Sequence, residues 1–223
     1  KSADYSNIKS KNAIVLDSDN FGEIINKNPA NVVINYKING KSAHAGLAPQ
    51  EGIHALKAAA DAVANLPVGN VDDISVMNIS NFISKGKTNI IADEATFDME
   101  IRSFEEDRLQ KHIMNSIHVL NDSCDKFGAN YEMTINRHSD VIYVDESSRL
   151  VKEIKKAFTV LGIQYKLKNS FGGCDATNLF ANGFEVVNLG IGMQAVHSCS
   201  EYISQKDLAA IEKLVLIIMK NGF

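Results

Sequence analysis

The stretch NVVINYKINGKSAHAGLAPQEG, residues 31–52, changes character halfway. Its first part, NVVINYKING, reads as a β-strand. The second, GKSAHAGLAPQEG from Gly40 to Gly52, sets one histidine, His44, among small residues just before a helical run. A filler histidine in a core does not need a turn this bare, so His44 is a candidate functional residue.

Working outward, Ile53, Leu56, Ala60 and Val63 recur at helical spacing until Pro67 stops them. Two strands follow, DISVMNISNFIS (73–84) and IADEATFDMEIRSF (91–104), around a turn at Gly86, with Phe97, Met99 and Ile101 alternating on one face. A long helix then carries Leu109, Ile113, Ile117, Leu120, Cys124 and Phe127, with Gly128 as its C-cap, and ANYEMTINRH (129–138) closes the series as a strand. The order β-α-β-β-α-β is that of a ferredoxin-like half-open sandwich.

The flanks read differently. Residues 1–28 hold the apolar strand NAIVLD, ending at Asp17 with nothing before it to pair with, and the short strand GEIIN. From residue 139 helix and strand alternate: a helix with Leu150, Ile154, Phe158 and Leu161, a strand QYKLK, the turn SFGGCDA, a short helix and the apolar strand FEVVNLG. The last helix opens at Ser204 with Asp207 at capping-box spacing and is expected to bury Leu208, Ile211, Val215 and Ile218. The expected organisation is therefore an α+β module, residues 29–138, inserted into an α/β domain formed by residues 1–28 and 139–223. The partner strands of that domain are expected to be mostly missing.

Composition narrows the function. The chain has 223 residues, 45% hydrophobic, with 23 Lys and Arg against 27 Asp and Glu and a net charge of −4. There is no block of like charge, which argues against a nucleic-acid or anionic membrane surface. The three cysteines form no CxxC pair, and no apolar run reaches transmembrane length. A reducing cytoplasm is the expected location.

His197 sits in a Gly-rich loop directly after a buried strand, and Asp17 ends another, where open α/β sheets place ligands. Each also reads as a plain loop or turn residue, and two such side chains do not make a zinc site, which takes three or four protein ligands. His138–Asp140 has the H-x-D spacing of many zinc hydrolases but reads as a boundary loop where the last module strand runs out. Glu105–Glu106 reads as the cap of the long helix. His54, His112 and His118 read as surface or flank residues, and Asp72–Asp73 as a turn.

Taken together, GKSAHAGLAPQEG, TNIIADEATFDMEIRSF, SFGGCDATNLFANGFEVVNLG and GMQAVHSCSEYI, in that order and preceded by VLDSD, resemble the M20 zinc peptidases in their peptidase T-like (tripeptidase-like) branch. The resemblance implies a dizinc metallopeptidase acting on short peptides, with metal-activated water attacking the peptide carbonyl. Zinc is the implied metal, with cobalt or manganese as alternatives; the α+β module, residues 29–138, is implied to be the family's lid domain, inserted into the catalytic α/β domain and pairing subunits into a homodimer. Within this implication Asp17 and His197 are metal ligands, one for each ion. His44 reaches into the neighbouring subunit's site and donates to the developing oxyanion. Asn89 and Arg102 hold substrate backbone and carboxylate, and Gly172 and Gly173 let backbone approach it; Asp175 caps the next helix. Cys174 stands where relatives often carry Ser or Thr.

The family's H-x-D ligand, bridging aspartate and Glu-Glu pair have no counterpart here. The chain therefore reads as the C-terminal portion of such an enzyme, inactive alone. An N-acyl amino acid amidohydrolase and a catalytically inactive dimerisation module are the competing readings.

Overall fold

The computed structural model describes residues 4–221. In chain order its elements begin with β1 (Asn12–Ser18), β2 (Glu23–Asn28), β3 (Ala30–Asn39), α1 (Ala55–Asn65), β4 (Gly69–Asn70) and β5 (Ser75–Ile83). They continue with β6 (Glu94–Ser103), α2 (Glu106–Phe127), β7 (Asn130–Ser139), β8 (Ile142–Tyr143) and α3 (Arg149–Val160). The chain ends with β9 (Lys166–Asn169), α4 (Ala176–Ala181), β10 (Glu185–Gly190) and α5 (Gln205–Asn221). Two compact units result: Ala30–Ser139, and the segments up to Pro29 and from Asp140 onward.

The first unit is an α+β sandwich. Its sheet runs β4-β5-β6-β3-β7 with every neighbouring pair antiparallel, and β3 lies between β6 and β7 over nearly its whole length. Strand period decides its faces. Val32, Ile34, Tyr36 and Ile38 of β3 and Ala95, Phe97, Met99 and Ile101 of β6 are buried under the helices, while Asn31, Asn35, Asp98, Glu100 and Arg102 alternate on the other face. The Tyr36 hydroxyl, buried in this core, is satisfied: it lies 2.7 Å from Ser116 Oγ on α2. Gly128 closes α2 in the left-handed region (φ 70°), its N–H reaching back to the last turn, as C-capping glycine does.

Helix α1 differs from expectation. It starts at Ala55, and its buried face is Ala55, Ala58, Ala59 and Ala62, with Ala60 exposed and Leu56 and Val63 half-buried. The larger side chains mark the flank, not the seam. An all-alanine face lets α1 lie close against the sheet and α2, where a Leu would hold it off.

The second unit is α/β. β1 runs parallel to β10, β10 antiparallel to β2, and β2 pairs with both β8 (antiparallel) and β9 (parallel). So β1 has a partner within the chain, 171 residues away in sequence at one contact, and the strands expected to be mostly unpartnered form a five-stranded sheet. β10 is buried on both faces, as a strand between helical layers is. Val187 and Leu189 join Leu150, Ile154 and Phe158 of α3 and Ile211, Leu214 and Ile218 of α5; Val186 joins Ala176 and Ile142. In α5 the apolar face is Ile211–Leu214–Ile218, and Leu208 is exposed. The helix is capped as its sequence suggests: Ser204 Oγ accepts from the Asp207 N–H at 3.0 Å and bonds its carboxylate at 2.6 Å. Among the described residues no helix is long and apolar enough to cross a membrane.

Three further expectations change. His112 is buried, because Asp72 partners it. His138 lies inside β7 and not in a boundary loop. Asp175 stands at the N-cap of α4 but makes no side-chain cap bond.

Candidate active site

In the α/β unit a cleft of about 430 Å³ opens where β1 and β10 end, lined among others by Asp17, Glu23, Lys168, Gly172, Gly173 and His197. The sheet brings together Asp17, Gly172, Gly173 and His197 from segments far apart in sequence. Asp17 is presented by a β-bulge. Leu16 pairs with Leu189 and Ser18 with Gly190, so Asp17 is the extra residue between them. The side chain of buried Asn188 substitutes for the missing ladder. Its Oδ1 accepts from the Asp17 N–H (2.9 Å) and its Nδ2 donates to the Asp17 carbonyl (2.7 Å). A bulge breaks strand alternation and re-aims a side chain, which leaves the Asp17 carboxylate on the cleft. Glycine is required next door: a Cβ on Gly190 would stand 1.7 Å from the Asn20 carbonyl oxygen.

His197 follows β10 in a tight loop. It has φ 63° and Ala195 has φ 51°, a left-handed conformation uncommon for residues with a side chain. The loop is pinned by the His197 N–H bond to Glu201 Oε2 (2.9 Å) and by the pairing of Gln194 with Tyr202. On the opposite wall Asn28 Nδ2 donates to the carbonyls of Ser170 and Gly172, both at 3.1 Å, and so fixes the Gly172–Gly173 backbone. Cys174 lies beside this site, and burial first, then the charges of Asp17 and Asp175, push its thiol above its ordinary value. That is the opposite of an activated nucleophile.

Glu23 was not legible as a site residue. It is only 1% exposed yet lines the cleft. Burial alone would raise its carboxyl, but hydrogen bonds from Lys168, then Lys166 and Asn20, outweigh it and hold the group below the usual carboxylate range. Its oxygens are engaged by Lys168 (3.1 and 2.9 Å) and Lys166 (3.1 Å), so it is no general base.

The remaining expected residues belong to the α+β unit. The His44 turn docks on the loop before β6: the Ala45 N–H bonds the Asn89 carbonyl, the Ile91 N–H bonds the Ala43 carbonyl, both at 2.9 Å, and His44 pairs with Ile90. His44 and Asn89 are therefore neighbours. His44 Nδ1 accepts from the backbone N–H groups of Gly46 and Leu47, each at 3.2 Å. With Nδ1 an acceptor, the neutral ring carries its proton on Nε2, so the exposed imidazole offers a donor outward. Arg102 is half-buried on β6, and its Nη2 lies 2.8 Å from Glu100 Oε1, which also accepts from Asn31 Nδ2 at 2.9 Å.

Asp17 and His197 have the chemistry of metal ligands, but among the described residues no three His, Cys, Asp or Glu side chains are grouped to hold an ion. The donor set of this chain does not close a zinc site, which normally takes at least three protein ligands.

Residues 24–128 match the M20_dimer family, described as the peptidase dimerisation domain. Over all 223 residues the chain is 28% identical to the uncharacterised protein YqjE of Bacillus subtilis (strain 168), of which it covers 60%. The crystal structure of the aminopeptidase PepT from Bacillus cereus ATCC 10987 superposes with a TM-score of 0.88 at 30% identity, covering 98% of this chain and 59% of that one. A tripeptidase from Staphylococcus aureus gives 0.88 at 28% identity, over 94% of this chain and 56% of that one. Residues 24–128 thus match the M20 peptidase dimerisation domain, and over nearly its whole length the chain is similar to peptidase T-like proteins. It spans less than two thirds of the length of these relatives.

Proposed function

We propose that the chain is the lid-bearing part of a dizinc aminopeptidase or tripeptidase, cytoplasmic and dimeric through its α+β module, that hydrolyses short peptides. The observation that carries this reading is the convergence of bulge-presented Asp17, strained His197 and the bare Gly172–Gly173 wall on one cleft. Zinc, or cobalt or manganese in its place, belongs to the reading, its remaining ligands lying outside this chain. The chain's own residues would bind and orient the peptide. The Nε2 proton of His44 suits donation to a carbonyl oxygen that gains charge, in the partner subunit's cleft. Asn89, on the adjoining loop, suits a bond to substrate backbone. Arg102 suits a substrate carboxylate, which would share the guanidinium with Glu100.

Dimerisation is supported by the edge strand β7. Arg137 pairs with Glu106 and the Tyr131 hydroxyl bonds Asn121, which lays β7 along α2. Between these pins Met133 and Ile135 are exposed on β7, the edge strand among the described residues, and Met114 is exposed on α2.

The intact protein assayed on Gly-Gly-Gly-type tripeptides and on N-acetyl amino acids tests the reading. Tripeptide cleavage is expected, and preference for the acyl substrates overturns it in favour of an amidohydrolase.

A further inference from the structure

Two lysines serve one carboxylate at the cleft wall. On β9, Leu167 faces the core while Lys166 and Lys168 alternate onto the opposite face at strand period, and Ser170 follows immediately past the strand's end. Lys166 and Lys168 both pair with Glu23, whose side chain is 2% exposed. A carboxylate buried this deeply needs a cationic partner, and one suffices for neutrality. The second leaves the cluster with a surplus positive charge. Lys168 lines the cleft and Lys166 does not. An ammonium has three donors and Glu23 takes two from Lys168. One pleat on, Ser170 also lines the cleft; its Oγ accepts from the Gly172 N–H at 3.2 Å, which leaves the hydroxyl proton to donate elsewhere. The remaining charged lining apart from His197 is acidic: Asp17, Asp19 and Glu201. An incoming anion therefore has a single lysine to land on.

We propose that Lys168 and the Ser170 hydroxyl form a carboxylate subsite, with Glu23 as the residue that positions Lys168, so that the cleft favours peptides carrying an acidic group there. The subsite refines the peptidase reading given above and rests on it for the nature of the substrate. Two donors a pleat apart match the two oxygens of one carboxylate, whether an acidic side chain or the peptide's own C-terminus.

The test compares the intact wild-type protein with Lys168→Met, Lys168→Arg and Ser170→Ala. Ala-Glu-Ala is set against Ala-Gln-Ala, and Ala-Ala-Ala against its C-terminal amide. The wild type is expected to favour Glu over Gln by about tenfold in kcat/KM, the scale of one charge-assisted hydrogen bond. Lys168→Met should bring the ratio close to one and Lys168→Arg should keep most of it. Ser170→Ala, which leaves both Glu23 pairs in place, should lower it partway. If instead the acid-over-amide preference alone disappears in Lys168→Met, the subsite stands and reads the C-terminus. Both ratios unchanged in Lys168→Met overturn it. Calorimetric titration with glutarate reads the subsite without hydrolysis. Heat lost in Lys168→Met and kept in Lys168→Arg upholds it, and equal heats in wild type and Lys168→Met overturn it. Failure to cleave any tripeptide overturns the peptidase reading, while the glutarate result still decides the role of Lys168.

Discussion

His112 Nε2 lies 2.9 Å from Asp72 Oδ2, tying the middle of α2 to the short loop between β4 and β5. Asp72 also accepts from the Ile74 N–H at 2.9 Å, and Arg108 stands 3.8 Å away. Burial would raise this carboxyl, but the Ile74 bond, then His112 and Ser75, hold it below its ordinary value of 3.8. A depressed carboxyl stabilises the fold above the unfolded value, and that contribution is lost as pH falls below 3.8 toward the folded one. Asp72→Asn should cost about 1–3 kcal/mol at neutral pH. Its melting temperature should also fall less steeply than the wild type's in acid, as calorimetry at a series of pH values would show. A parallel acid decline in both proteins would mean that Asp72 is not a source of it.

Tyr36 gives the opposite sign at the other end of the scale. Burial pushes its hydroxyl up to about 12 from an ordinary 10, only partly opposed by the bond to Ser116. An acid whose folded value is raised contributes stability below the unfolded value and loses it as pH climbs from 10 to 12. Tyr36→Phe should lose roughly 0.5–1.5 kcal/mol at neutral pH. It should also abolish the part of the alkaline decline that begins near pH 10, measured by denaturant titration at rising pH.

In the intact enzyme, His44→Ala should lower kcat by about 10²–10³, the scale of one lost oxyanion donor, with metal content unchanged. Metal lost in step with activity would make His44 a ligand.

Charges placed on the β7 edge should separate subunits. Met133→Glu combined with Ile135→Lys is expected to turn a dimer into a monomer in sedimentation, with the fold retained, because both side chains are exposed. An unaffected dimer would move the interface elsewhere on the module.

The chain by itself is expected to hold little stoichiometric zinc after dialysis, since its described residues offer no three-ligand group. Elemental analysis showing two tightly held ions per chain would mean that His138 or Asp140 contributes a ligand.

How much of this was legible in the sequence depends on the range of the signal. The β-α-β-β-α-β order follows from local period, and the Gly128 and Ser204 caps from residues within one turn of their helices. The buried face of α1 was misread because alanine marks a helix seam only when the facing surface is known to be close. His112 looked peripheral because its partner Asp72 is 40 residues away. The bulge at Asp17 and the saturation of Glu23 depend on Asn188 and Lys168, 171 and 145 residues distant. Types of residue at the candidate site could be read; the bonds that aim or silence them could not.

The α+β module begins and ends on paired residues: Asn31 of β3 stands opposite Ser139 of β7. A domain whose two ends already touch makes its own closed circuit. It can be excised and sealed with a linker of a few residues, or traded for a relative's module at the same two joints, without asking its host to stretch or its own sheet to re-register. Evolution could therefore revise the α+β module and the α/β unit on separate schedules.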